Sequence, residues 1–129
     1  MTSNESEGAL WEKEVIEHYR SDGWMAIFFP KSPDGGQPCD IIALKDEEAL
    51  LIECKVCTTD NLYLGRIEDN QLATMRLAEK TGNSGRIYVK HTSKDGEITK
   101  HIVWWNQILA AIDTGQKSFS ISDMYLILE

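Results

Sequence analysis

The chain is short of cysteine, of proline and, above all, of positive charge. Its three cysteines, Cys39, Cys54 and Cys57, are odd in number and fall in one stretch, which excludes a disulfide framework. Cys54 and Cys57 make a single C-x-x-C pair, and His18, His91 and His101 are scattered, so the four ligands of a structural zinc site are missing. All three prolines lie between positions 30 and 38, in a breaker-rich loop reading PKSPDGGQP. No apolar run approaches the length of a membrane span and no signal peptide opens the chain. A cytoplasmic protein of bacterial, archaeal or phage origin is expected. Thirteen Lys and Arg against 21 Asp and Glu leave a net charge of −8. Nucleic-acid binders ordinarily carry a basic surface, so this balance argues against one. Part of the acid has another explanation. Glu5 and Glu7 belong to a polar stretch, 1–7, expected as a disordered tail, and Asp46, Glu47 and Glu48 crowd one turn. If the remaining cations gather on one side, an acidic chain can still hold a phosphate backbone, with salt-sensitive affinity or with help from bound metal.

What is present is an ordinary globular composition: 129 residues, 42% hydrophobic and 26% charged, enough for one domain over 8–129 with a real core. Its organising stretch is a hairpin. Asp40-Ile41-Ile42-Ala43-Leu44 and Ala49 to Val56 are apolar runs on either side of a polar turn at Lys45–Glu48. A symmetric turn sets Leu44 opposite Ala49 and therefore Asp40 opposite Glu53. Opposed residues share a face of the sheet, with Cβ atoms about 5 Å apart. Lys55, two residues beyond Glu53, projects from that face as well. Two opposed carboxylates repel, and a divalent cation resolves the conflict. Mg²⁺ takes hard oxygen ligands, typically one or two carboxylates with waters and substrate phosphates. A lysine beside it can hold the attacking water, and this set of parts suits metal-assisted hydrolysis of a phosphodiester. On an exposed face the same three residues would be a salt-bridge cluster.

Elsewhere, Trp11, Val15, Ile16 and Tyr19 recur at helical spacing from Gly8 to about Asp22, with Glu12 at the edge of the apolar stripe. Gly23 ends that helix, and Trp24 to Phe29 reads as a short, fully apolar strand. The Gly35-Gly36 pair is either a loop closing over substrate or a plain connector. Cys57 to Gly65 reads as a polar loop. Ile67 to about Thr81 predicts a second helix whose inward stripe, Ile67, Gln71, Met75 and Ala78, contains a glutamine that needs a partner if buried. Arg86 to His91 and Glu97 to Val103 read as strands joined at Asp95-Gly96. Trp104 to Thr114 predicts a third helix, and Met124 to Leu128 a terminal strand. Trp104 and Trp105 read more readily as core or dimer packing than as base-stacking residues.

The order of parts carries a resemblance. A helix with "G..WE..V...Y...GW", a loop, a strand with Asp40, a strand with Glu53-Cys54-Lys55 and a helix with Gln71 resemble the PD-(D/E)xK nuclease superfamily, Holliday junction resolvase-like branch. The matching stretch runs from about Gly8 to Lys90. The resemblance implies an α/β restriction-endonuclease-like core, αβββαβ, with a mixed central sheet flanked by helices. It implies an Mg²⁺- or Mn²⁺-dependent DNA endonuclease leaving a 5′-phosphate, working as a symmetric homodimer on branched DNA. Asp40, Glu53 and the main-chain carbonyl of Cys54 would be metal ligands, and Glu12 would complete the site directly or through water. Lys55 would orient or activate the water, and Gln71 would orient Lys55 or the water. Ser32, Lys31 and Arg66 would contact the DNA phosphates. One departure is the extra residue in Pro38-Cys39-Asp40, where the family has Pro-Asp. A flap, single-strand or defence-type nuclease, and a non-catalytic partner-binding module on the same fold, are the alternatives.

Overall fold

The computed structural model describes residues 6–30, 33 and 37–128. Ser6 starts the first helix: its Oγ accepts from the Ala9 N–H at 3.1 Å, covering a donor the helix cannot pair itself. The helix, α1, runs Glu7–Ser21, so Glu7, expected in the tail, is its first residue. Trp11, Val15, Ile16 and Tyr19 form its buried stripe. Gly23, at φ 88°, turns the chain into strand β1, Met25–Phe28. The hairpin follows as β2, Ile41–Lys45, and β3, Glu48–Cys57, so the turn is only Asp46-Glu47. A short β4, Asn61–Tyr63, and a single 3₁₀ turn lead to α2, Asp69–Lys80. Then come β5, Ser84–Thr92, β6, Ile98–Trp104, and α3, Trp105–Asp113. β7, Ser118–Ser120, and β8, Tyr125–Leu126, close the chain. Among the described residues no helix is long and apolar enough to cross a membrane.

Six strands form one mixed sheet in the order β1-β2-β3-β5-β6-β8. Only β3 and β5 run parallel, and α2 supplies the crossover between them. The polar loop expected after Cys57 is partly structured, because β4 pairs with β7 in a separate two-stranded ribbon. Alternation along β3 sorts the two faces. Leu50 and Ile52 join Ile41, Ala43, Tyr88 and Ile102 under α1. Leu51, Cys57, Ile87, Val89 and Val103 belong to the second core, under α2 and α3. Glu53 and Lys55 share the parity of Leu51 and Cys57 and so point to the α2/α3 side.

Candidate active site

The hairpin register runs as expected from Lys45–Glu48 through Leu44–Ala49 to Ile41–Ile52. It does not continue to a direct Asp40–Glu53 pair. The Asp40 N–H also donates to the Ile52 carbonyl, at 3.0 Å, so Asp40 and Ile41 together oppose Ile52. Two residues against one is the pattern of a β-bulge, a device that re-aims a side chain and ends regular pairing. The Asp40 carboxylate is thereby carried past the end of β2, where Oδ2 accepts the Cys54 N–H at 2.8 Å. The N–H and C=O of one strand residue point to the same side. The Cys54 carbonyl therefore faces the edge that β2 has left.

The two acids still meet. Asp40 and Glu53 are both buried, at 7% and 5% exposure. Burial raises the Glu53 pKa from 4.5 to about 9, helped by a shared hydrogen bond with Asp40 and by its charge. Lys55 and Gln71 pull the other way. Neither Glu53 oxygen has a hydrogen-bond partner of normal geometry, so the contacts with Asp40 and Gln71 are loose ones. Lys55 Nζ lies 3.7 Å from Glu53 Oε2 and donates to the Arg66 carbonyl at 3.4 Å. Arg66 in turn donates from its guanidinium to the Val56 carbonyl at 2.9 Å, which holds it beside Lys55 on the open edge of β3. Gln71 is the buried glutamine of the α2 stripe. Its Oε1 accepts the Glu68 N–H at 3.2 Å, closing a capping box, which leaves the amide NH₂ to face Glu53. Gln71 thus stands against Glu53.

Glu12 does not share this face. It sits on α1, against the opposite side of the sheet, where Cys54 is half-buried. Its charge reaches the Cys54 thiol. That thiol's pKa is driven up chiefly by burial, then by Asp40, Glu12 and Glu53. Helical spacing placed Glu12 near the core but could not say which face of the sheet it would meet. Lys31, Ser32 and the Gly35-Gly36 pair lie outside the described residues. Sequence reasoning missed the wall behind Glu53, where Ile87, Met75 and the indole of Trp105 close the site. A glycine inside a strand, Gly85, was the available signal, because it marks a close approach by another group.

Among the described residues no three His, Cys, Asp or Glu side chains converge on one point as a ready cage. The donor set nonetheless fits a hard divalent cation, which needs only one or two carboxylates besides waters and phosphate. Two buried carboxyls in contact, one with both oxygens orphaned, lack the charge that would let both ionise. The Cys54 thiol is held neutral, so this residue offers its carbonyl oxygen.

The model of the archaeal Holliday junction resolvase family (Hjc) matches residues 3–124. The fold is similar to that of Hjc, a Holliday junction resolvase from the archaeal hyperthermophile Archaeoglobus fulgidus, with a TM-score of 0.52 and 21% identity over 78% of this chain and 75% of that one. No curated protein sequence matches the chain.

Proposed function

The chain belongs to the archaeal Holliday junction resolvase family, a resolvase-like DNA endonuclease, and from that premise we propose that Asp40, Glu53 and Lys55 carry the hydrolysis, with Mg²⁺ or Mn²⁺ as cofactor. Asp40, Glu53 and the Cys54 carbonyl would hold the ion, with Glu12 contributing through water. When bound, a divalent cation lowers the pKa of water and draws charge from the phosphate oxygens. Lys55 orients the attacking water from the side of Glu53 and offsets the negative charge that gathers in the transition state. Gln71, whose amide NH₂ faces Glu53, would help orient that carboxylate. Arg66, with Lys31 and Ser32 from the loop before Asp40, would contact the phosphates of the cut strand, which is left with a 5′-phosphate. Two such sites in a symmetric dimer would cut two strands of a branched substrate, and light scattering at twice the mass of one chain would support that state.

The observation that carries this reading is Glu53: buried, without a hydrogen bond at either oxygen and pressed against a second acid. A fold without a use for that pair gains nothing from keeping it. The test is cleavage of four-way junctions, flaps, single strands and linear duplex with Mg²⁺ or Mn²⁺. Asp40→Asn and Lys55→Ala should each cut at least about a hundredfold more slowly while melting as cooperatively as the wild type. Wild-type cutting by both variants would end the assignment. Preference for flaps or single strands over junctions would move the substrate, not the chemistry.

A further inference from the structure

Trp105 has been given no part in the reaction. It opens α3, is 4% exposed, and lays its ring over Gly85 of β5, where an added Cβ would fall 2.0 Å from the indole. Its Nε1 is buried without an acceptor. With Glu53, Gln71, Ile67, Met75 and Ile87 it lines a cavity of about 10 Å³. That is close to the space one water molecule needs, and a water is stable in such a place only with two or more polar partners. The partners are complementary. An indole N–H only donates, a carboxyl C=O oxygen accepts whether or not the group is ionised, and the Gln71 amide is left with its NH₂. Trp105 Nε1 and the two Glu53 oxygens, all buried and without a hydrogen bond, belong to residues walling this one small space.

We propose that Trp105 is a positioning residue of the carboxylate site, its indole N–H donating through one trapped water to Glu53. The water accepts from the indole and donates to one Glu53 oxygen, which leaves the other free to turn toward Asp40. Gly85 is part of the device, since only the missing side chain lets the ring approach. The neighbouring Trp104 cannot substitute, because it lies outside, under Arg86 at 5.6 Å. The proposal rests on the reading of Glu53 as a metal ligand.

Trp105→Phe keeps the apolar ring and removes the donor. Mn²⁺ affinity measured by isothermal titration should fall about tenfold, as for other outer partners of metal ligands, and kcat on junction DNA should fall similarly with KM unchanged. Wild-type affinity and kcat in that variant would overturn the proposal. Should Trp105→Phe not fold, the indole N–H signals of the otherwise intact chain decide. Its four tryptophans give four such signals, and Trp105 is assigned through its contact with Gly85. In metal-free protein the Trp105 signal should exchange slowly with solvent and shift in Glu53→Gln. A signal that Glu53→Gln leaves unmoved would overturn the proposal. That measurement needs neither metal nor cleavage. Failure of the nuclease reading shows separately, as wild-type protein that neither binds Mn²⁺ nor cuts.

Discussion

Glu53 illustrates what one residue contributes and what it costs. Its folded pKa lies above its unfolded one, so between about 4.5 and about 9 the folded state holds a proton that the unfolded state has released. Stability of the metal-free protein is therefore lost as pH rises through that window. Each unit of upward shift is worth about 1.4 kcal/mol once the group ionises. In EDTA, unfolding free energies taken from urea melts between pH 5 and 9 should fall for the wild type relative to Glu53→Gln, with a gap of at least about 1.4 kcal/mol near the top. Added Mg²⁺ should narrow the gap by raising the wild type; an identical pH profile for the two proteins would contradict the shift. Much of this residue's setting was legible beforehand. Alternation in β3 gave Glu53 and Lys55 a common face, and the hairpin turn gave the register up to Ile41. The slip at Asp40 was not legible, because a bulge is written in the Asp40 N–H and Ile52 carbonyl and leaves no mark on the apolar pattern. Gln71 stood out as a polar residue on an apolar stripe, but its task, capping α2 while facing Glu53, depends on where the helix starts.

At the scale of elements, two places are sensitive: the approach of α3 to β5 and the backbone of the β2–β3 turn. Gly85→Ala would drive a methyl into the Trp105 ring, and overpacking of this kind costs about 1–3 kcal/mol or more. Thermal unfolding should show the loss, and Mn²⁺ affinity should drop with it, because the same ring backs Glu53. The turn offers the opposite sign. Asp46 stands at φ 54°, a region that strains most side chains, so Asp46→Gly should leave stability level or raise it by a few tenths of a kcal/mol, measured by urea unfolding. The element that went unforeseen is the β4–β7 ribbon. Its strands have three residues each, Asn61–Tyr63 and Ser118–Ser120, and their partners lie far apart in the chain. Neither strand is long enough for a period-two pattern to register.

For the whole molecule, charge decides how DNA is held. Of the cations, Arg76 is spent on Asp113 at 2.8 Å, Lys100 on Glu14, Lys55 on Glu53, and Arg86 on Trp104 and the Tyr19 hydroxyl at 3.2 Å. These four are engaged within the fold, and the net charge of −8 works against counterion release from a duplex. Each neutralised phosphate contributes about −0.9 to the slope of log affinity against log salt. That slope should be shallow, around −2 to −4, and binding should strengthen with Ca²⁺ or Mg²⁺; a steep slope in EDTA would mean a basic face assembled by other means. The arrangement of the sheet carries one more consequence, in time instead of space. The two acids come from a hairpin only 14 residues wide between Asp40 and Cys54, which can close early. The chamber around them comes from α2, β5 and α3, and the parallel pairing of β3 with β5 must wait for the whole crossover. A nascent chain therefore carries its paired acids still hydrated, and cutting power must wait for the crossover to close.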